Sequence, residues 1–341
     1  MQLRSKRRTV TSLTVLVLAF GVGIAEAAPP DRKGGKELVP YLAEAEIQAD
    51  LEAVYSEPRP PLPVPPEPFE QAPLTLRANG DYEDQVIELV NQQRWNNGQL
   101  PPLKFNAQLR AAAYGHSSRM GTRNFFGHCD LDSLATLGTR IAASGYPALF
   151  AGENIGAGYT SPQAAVNGWM ASPGHRANIL STGYREIGVG YYHDASDSSN
   201  VRFDLDGNCI AESSSNGPYR HYWTQNFGQS FTYPVVIDRE AYSTSVRNVS
   251  LYLYGNGWAT QMRIQNTGEP FTPWMTFNPN VNWQLSQGGG TKTVTVEIRN
   301  ASGTVRSATD TIFYDAPSSS LDFVFGDGFE SGSIAAWDTS S

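Results

Sequence analysis

Beyond residue 80, apolar residues first repeat at the three- and four-residue spacing of amphipathic helices. A first helix is predicted from Asp81, with inward positions at Val86, Leu89 and Val90. Gly98 and Pro101 end this segment. Asn106 is a suitable N-cap for a second helix, whose inward face comprises Leu109, Ala112, Ala113, His116 and Met120.

Three shorter helices and then two strands follow. The third helix is predicted from about Ser133 to Ala143. Ser-Pro pairs at 161–162 and 172–173 open the other two, because proline suits the first helical position. The apolar period then changes to two, at 187–191 and again at 221–227. Helices followed by strands indicate an α+β fold.

After Gln229 the helical spacing stops and short strand-like runs remain. They lie at 235–237, 251–254, 262–264, 283–285, 293–298 and 304–313. Turn-forming residues separate several of them, as in Gly255-Asn256-Gly257 and Asn266-Thr267-Gly268. This even spacing predicts a small all-β sandwich domain over residues 231–316.

The ends of the chain have a different composition. A basic stretch, an apolar run from Val10 to Ile24 and the sequence Ala25-Glu26-Ala27 predict a signal peptide at 1–27 that is cleaved after Ala27. The run is shorter than the ~20 residues that span a bilayer, so no transmembrane anchor is expected. Residues 28–78 are predicted to be a Pro-rich linker and residues 317–341 a flexible C-terminal tail.

Charge and cysteine usage narrow the classes of function. The formal net charge of -8 argues against a nucleic-acid partner, which needs a basic surface. The two cysteines, Cys129 and Cys209, either form one disulfide in an oxidising compartment or remain free buried thiols. A nucleophilic pair of Cys129 with adjacent His128 is disfavoured, because sequence neighbours rarely have the geometry for it.

Three polar residues are candidates for chemistry. His128, Glu153 and His175 are predicted to lie in loops or at a helix start, between segments that pack together. A carboxylate and two imidazoles in one cleft could bind a divalent cation such as zinc, or share protons in acid–base catalysis. His175 would be the third residue of its helix, where the helix dipole favours a neutral ring.

Five motifs in this order resemble the CAP domain of the cysteine-rich secretory and pathogenesis-related (SCP/PR-1-like) family, in its bacterial branch. They are Val90-Asn-Gln-Gln-Arg94, Phe125-Phe-Gly-His128, Gly152-Glu-Asn-Ile155, Gly168-Trp-Met-Ala-Ser-Pro-Gly-His-Arg176 and Tyr222-Trp-Thr-Gln-Asn-Phe-Gly228. The resemblance covers residues 79–230. It implies a three-layer α-β-α sandwich with an open cleft over the sheet, and a secreted protein, extracellular or periplasmic.

The resemblance also implies which residues line the cleft. His128 and Glu153 match the first histidine and glutamate of the family, whereas the second pair falls on Ser172 and Tyr222. The family's zinc-binding histidine pair is therefore not reproduced in place, and His175 is expected to fill the gap. The full predicted cleft is His128, Glu153, His175, Tyr222, Ser172, Gln225 and Asn154.

Three functions follow from these observations. The first is a secreted, non-enzymatic binding module whose His/Glu-lined cleft takes a small ligand, a lipid, a peptide or a cation. The second is a metal-assisted or acid–base hydrolase of the peptidase type that uses His128, Glu153 and His175. The third is a cell-surface or matrix component whose β-sandwich contacts a cell-envelope or extracellular partner. The missing nucleophile and second glutamate favour the first.

Overall fold

A computed structural model of the protein describes residues 82–204, 208–211 and 217–316. The predicted signal peptide, Pro-rich linker and C-terminal tail lie outside the described residues. Within the described residues, the helices are all too short or too polar to cross a membrane.

Five α-helices lie in the described part of the chain: α1 (Tyr82–Asn96), α2 (Ala107–Thr122), α3 (Leu137–Ala143), α4 (Pro162–Ala171) and α5 (Pro173–Leu180). The predicted caps of α2 and α4 are confirmed. The Asn106 side chain accepts hydrogen bonds from the backbone N–H groups of Gln108 and Leu109, and Ser161 accepts one from Ala164. These caps satisfy backbone donors that have no partner within the helix.

Helix α3 begins four residues later than predicted. The Asp130 carboxylate accepts hydrogen bonds from the backbone N–H groups of Asp132 and Ser133, at 3.0 and 2.9 Å. This local turn competes with helix formation. The helix therefore starts only after its cap, Thr136.

A four-stranded sheet stands next to these helices in the order β1-β4-β6-β3. Its strands are β1 (Lys104–Phe105), β3 (Phe150–Ala157), β4 (Glu186–His193) and β6 (His221–Gln229). Strand β6 pairs antiparallel with both β3 and β4, whereas β1 runs parallel to β4. Two further short strands, β2 (Phe125–Gly127) and β5 (Arg202–Asp204), pair separately in parallel.

Helices contact both faces of this sheet. On one face, Ile187 and Val189 of β4 pack with apolar residues of α1, α4 and α5, including Trp169. On the other face, Gly188 and Gly190 lie under α2. A Cβ atom at either position would be 2.1 Å from a backbone nitrogen of that helix. Because successive side chains of β4 point to opposite faces, one face of the sheet is apolar and the other lies in close contact with the backbone of α2. The predicted mixed α/β character is confirmed.

The C-terminal region, residues 231–316, contains only strands in the described structure. A five-stranded sheet has the order β11-β10-β13-β14-β8 and a three-stranded sheet the order β12-β9-β7. The strands are β7 (Val235–Ile237), β8 (Ser243–Thr244), β9 (Asn248–Leu253), β10 (Gln261–Asn266), β11 (Met275–Thr276), β12 (Asn280–Gln284), β13 (Gly290–Arg299) and β14 (Val305–Tyr314). All six predicted strands are present. Strands β8 and β11 were not predicted, because two residues are too few to show an alternation of apolar and polar positions.

Candidate functional site

The candidate site is centred on a buried carboxylate that contacts a histidine and an arginine. His128 Nδ1 lies 2.8 Å from Glu153 Oε1, and Arg140 Nη2 donates to Glu153 Oε2 at 2.6 Å. Burial alone would raise the pKa of Glu153, but the positive charge of Arg140, followed by His116 and the hydrogen bond from His128, lowers it to about 2. Glu153 is therefore ionised at neutral pH.

Glu153 lies inside strand β3, and the prediction that it lies in a loop was wrong. Glycine and asparagine on either side of it are typical turn residues, but here they serve packing. A Cβ atom on Gly152 would be 2.2 Å from the Tyr184 hydroxyl, and Asn154 pairs in register with Gln225 of β6. Since β3 is the edge strand of its sheet, Glu153 is accessible to residues outside the sheet.

Arg140 comes from α3 and was not identified from the sequence. Its guanidinium also donates to the backbone carbonyls of His128 and Ala135, both at 2.8 Å. It therefore joins the segment that carries His128 to the strand that carries Glu153. A buried carboxylate requires a counter-charge, and this requirement was the one signal that could have pointed to an arginine.

Two more polar residues, His116 and Asn226, lie near Glu153 on the face of the sheet that packs against α2. His116 is fully buried, and its Nε2 lies 2.9 Å from the Gly127 carbonyl. Burial, then the charge of Arg140, lowers its pKa to about 3, so the ring is neutral at physiological pH. The Asn226 amide, in the orientation that satisfies both of its groups, donates to Glu153 Oε2 at 3.0 Å and accepts from Ala113 N–H at 3.1 Å.

His175 lies on α5, whose first turn contacts the next residue of β3. The Asn154 amide donates to the His175 carbonyl at 3.1 Å. His175 is 2% exposed, and neither of its ring nitrogens has a hydrogen-bond partner in the protein. Burial, then the nearby charge of His128, lowers its pKa to about 3. Ser172 occupies the N-cap position of α5, yet its side chain makes no cap hydrogen bond.

A chain of amides connects His175 to the sheet. Asn154 donates to Gln225 Oε1 at 2.9 Å and accepts from the Asn178 amide at 2.9 Å. Successive residues of a strand point to opposite faces. Glu153 therefore faces α2 and Asn154 faces α5, so the two neighbouring residues connect β3 to different helices.

The remaining predicted residues have other neighbours. Tyr222 is fully buried, and its hydroxyl donates to Asp197 Oδ2 at 3.0 Å. Cys129 and Cys209 form a disulfide with a Cα–Cα distance of 5.3 Å. Cys129 follows His128 directly, so the bond restrains the segment that carries this histidine.

The predicted zinc set is not assembled. Among the residues that the structure describes, no group of three or more His, Cys, Asp or Glu side chains is placed to hold a metal ion. Both oxygens of Glu153 are already used by His128 and Arg140. The guanidinium of Arg140 would also repel a cation at this carboxylate.

Several buried polar atoms at the site have no partner in the protein. They are His128 Nε2, both ring nitrogens of His175 and Gln225 Nε2. His128 Nδ1 contacts Glu153, so Nε2 is the ring nitrogen that remains for a further hydrogen bond. The amide nitrogen of Gln225 is a donor, and the neutral ring of His175 supplies one donor and one acceptor. The arrangement can therefore bind a group that both donates and accepts hydrogen bonds.

A small pocket lies elsewhere, in the C-terminal region. Its walls are mainly apolar and aromatic and include Tyr233, Leu253, Val296 and Ile298. None of the site residues named above lines it.

Residues 87–227 match the family model described as the cysteine-rich secretory protein family, CAP. This match confirms the resemblance predicted from the sequence motifs. The chain is 37% identical over 128 residues to the uncharacterized protein YkwD of Bacillus subtilis (strain 168), with 37% of this chain and 47% of that protein covered. It is 35% identical over 108 residues to the uncharacterized membrane protein YlbC of the same organism, with 32% and 31% covered.

A solved structure, that of an extracellular protein containing a SCP domain from Bacillus anthracis str. Ames, is also similar. The sequence identity is 30%, the TM-score is 0.34, and the match covers 44% of this chain and 40% of that one. The chain thus spans less than half the length of each of these relatives.

Proposed function

We propose, on the match of residues 87–227 to the model of the cysteine-rich secretory protein family, that this protein is a secreted, non-enzymatic binding protein. Its ligand is an uncharged polar group, such as a peptide amide or a hydroxyl, held at the edge of β3. The observation that carries this proposal is the set of buried, unpartnered atoms on His128, His175 and Gln225. A buried polar atom without a partner costs about 1–3 kcal/mol, which a matching ligand recovers.

The charges at the site favour a neutral ligand. Glu153 and Arg140 neutralise each other through a buried ion pair, so neither offers a free charge to a ligand. His175 is neutral at physiological pH because burial lowers its pKa to about 3. A charged ligand would lose its hydration without gaining a counter-charge. A peptide group loses less and supplies both a donor and an acceptor.

Hydrolysis, the alternative function, has weaker support. A general base works best when its pKa is near the working pH. Glu153, with a pKa of about 2, and His175, with a pKa of about 3, are both far below neutrality. Cys129 is held in a disulfide and so offers no thiolate for nucleophilic attack. These properties support binding over turnover.

We also propose two domains and an exported chain. Residues 79–230 would form a three-layer α-β-α sandwich and residues 231–316 a small all-β sandwich. Separate hydrophobic cores support this division: one contains Trp169 and Trp223, the other Leu251 and Val296. Export rests on the predicted signal peptide 1–27, and the mass of the exported protein tests whether cleavage follows Ala27.

Binding is tested by titrating the purified mature protein with uncharged N-acetylated dipeptide amides, followed by NMR chemical shifts. We expect His175→Ala and Gln225→Leu each to weaken binding about 3- to 10-fold, as for the loss of one hydrogen bond. His193→Ala is the control, because His193 is exposed on β4 and makes no contact with the site residues. Equal affinity in all variants would contradict the proposal. Peptide cleavage that Glu153→Gln abolishes would support the hydrolase.

A further inference from the structure

The C-terminal region packs against α1 and β1 through specific polar contacts. The Asn91 amide of α1 donates to the Arg239 carbonyl at 2.9 Å, and the backbone N–H of Tyr242 donates to Glu88 Oε1 at 2.7 Å. The Tyr254 hydroxyl donates to the Pro102 carbonyl at 3.0 Å. These contacts join residues 88–102 to the C-terminal region at several points.

A lysine and two carboxylates lie at the centre of this junction. Lys104 of β1 donates to Glu240 Oε1 and, at 2.6 Å, to Asp310 Oδ1 of β14. The side chains are 17%, 11% and 2% exposed for Lys104, Glu240 and Asp310. The cation therefore comes from the N-terminal part of the chain and both anions come from the C-terminal region.

The turn that carries Glu240 has an unfavourable backbone conformation. Asp238, Arg239 and Glu240 have φ angles of 41°, 59° and 66°, in the left-handed region that residues with a side chain rarely adopt. Asp238 is held within its own region by Ser250, whose N–H and hydroxyl donate to its carboxylate. Arg239 and Glu240 are held by Asn91 and Lys104 across the junction. Backbone hydrogen bonds within the region also fix the turn, from Glu240 N–H to the Ile237 carbonyl at 2.8 Å and from Ala241 N–H to the Asp238 carbonyl at 3.2 Å. Strained backbone persists where surrounding contacts fix it, and the contacts from Asn91 and Lys104 are the part that depends on docking.

We propose that the Lys104–Glu240–Asp310 cluster and the turn 238–240 form a lock that makes the two regions unfold as one unit and that weakens in alkaline solution. The cluster contains two buried carboxyl groups and one ammonium, so full ionisation leaves one uncompensated negative charge. Glu240 Oε2 has no hydrogen-bond partner and is buried. A proton retained on the cluster removes this charge.

The titration of Glu240 fits the same geometry. Burial, then the charge of Asp310, raises its pKa to about 8 despite the opposing effect of Lys104. The charged groups that face Glu240 are Lys104 of β1 and Asp310 of β14, whereas Glu88 of α1 contacts the adjacent Tyr242. Because the folded pKa lies above the ordinary value of 4.5, the stabilisation is complete below pH 4.5. It is lost as the pH rises through about 8.

Calorimetric unfolding of the full chain at pH 6 and pH 9 tests the lock. We expect one transition at pH 6 for the wild type. Between the unfolded and folded pKa values of Glu240, loss of one proton changes the unfolding equilibrium constant by up to about tenfold per pH unit. The midpoint temperature of unfolding should therefore be lower at pH 9 than at pH 6. Glu240→Gln should keep the single transition and lose this alkaline fall. Lys104→Met should separate the transitions at pH 6, because it leaves two carboxyl groups without their cation.

Two controls distinguish the lock from general destabilisation. Arg202→Met removes an exposed ion pair with Asp132 and should leave the single transition unchanged. Tyr254→Phe removes the docking hydrogen bond to the Pro102 carbonyl without changing charge, and should weaken coupling equally at both pH values. Two independent transitions in the wild type at pH 6, or the same alkaline fall in Glu240→Gln as in the wild type, would overturn the proposal.

Discussion

Arg140 Nη2 lies 2.6 Å from Glu153 Oε2, and both side chains are more than nine-tenths buried. This ion pair joins α3 to the edge strand β3. The guanidinium also contacts two backbone carbonyls. Removal of either partner would leave the other as an unpaired charge in a medium of low polarity.

Arg140→Met should therefore destabilise the protein strongly. Loss of one partner of a buried ion pair costs about 3–5 kcal/mol, because the remaining charge is left without compensation. Urea unfolding measures the change in the free energy of unfolding. Arg123→Met is the matched control, since Arg123 makes an exposed 3.9 Å pair with Asp132 and should cost less than about 1 kcal/mol. Equal costs for both variants would contradict the assigned role of Arg140.

Acid should weaken the fold through Glu153. Its folded pKa of about 2 lies below the ordinary value of 4.5, so the unfolded chain binds the proton first. The stabilisation is present above pH 4.5 and is lost as the pH falls towards 2. Unfolding free energies measured from pH 6 to pH 2.5 should fall less steeply for Glu153→Gln than for the wild type. Parallel curves would show that folding does not lower the pKa of Glu153.

His116 should add to the same acid sensitivity at higher pH. Burial lowers its folded pKa from 6.5 to about 3, so protons bind the unfolded chain preferentially as the pH falls below 6.5. His116→Gln retains a polar side chain and removes the titration. We expect its stability to vary less than that of the wild type between pH 6.5 and pH 4.5. A titration of His116 near pH 6.5 in NMR spectra of the folded protein would refute this assignment.

Two glycine-to-alanine substitutions should change stability in opposite directions, one through a steric clash and the other through helix propensity. Gly190→Ala places a Cβ atom 2.1 Å from the Tyr114 nitrogen of α2, and backbone cannot move aside as a side chain can. We expect a loss of several kcal/mol or failure to fold, beyond the ~1–3 kcal/mol of ordinary overpacking. Gly115→Ala lies on the exposed face of the same helix with no atom within 4 Å. It should stabilise the protein by about 0.5–1 kcal/mol. Thermal midpoints of the two variants give the comparison.

The disulfide should contribute substantially to stability. It closes a loop with a sequence separation of 80 residues, for which loop-closure entropy predicts about 4.5 kcal/mol. The double variant Cys129→Ser/Cys209→Ser should lose about this amount in urea unfolding. The wild type with dithiothreitol should approach the same value. A difference below about 1 kcal/mol would show that loop closure by this disulfide contributes little to stability.

Much of the fold follows from local sequence signals. Asn106 and Ser161 mark helix starts because their side chains accept backbone hydrogen bonds there, and such caps depend on only a few adjacent residues. The C-terminal strands could be recognised because their apolar residues alternate and glycine turns separate them. Gly257 and Gly268 have φ angles of 78° and 84°, as those turns require.

The candidate site was less accessible to sequence reasoning. The motif around Glu153 looks like a turn because Gly152 and Asn154 flank it, yet tertiary packing places all three in a strand. Arg140 and Asn226 reach Glu153 from α3 and β6, at separations that no local pattern connects. Family motifs indicated His128 and Glu153 together. Which charges neutralise the carboxylate could be seen only in three dimensions.

The alternating glycines of β4 set the distance between a helix and the sheet beneath it. At Gly188 and Gly190 a hydrogen atom is the largest substituent that the backbone of α2 tolerates. Any chain that keeps this spacing must keep glycine at both positions, whatever ligand it binds. The pattern Ile-Gly-Val-Gly at 187–190 thus belongs to the architecture, and its constraint is independent of the polar residues beside Glu153.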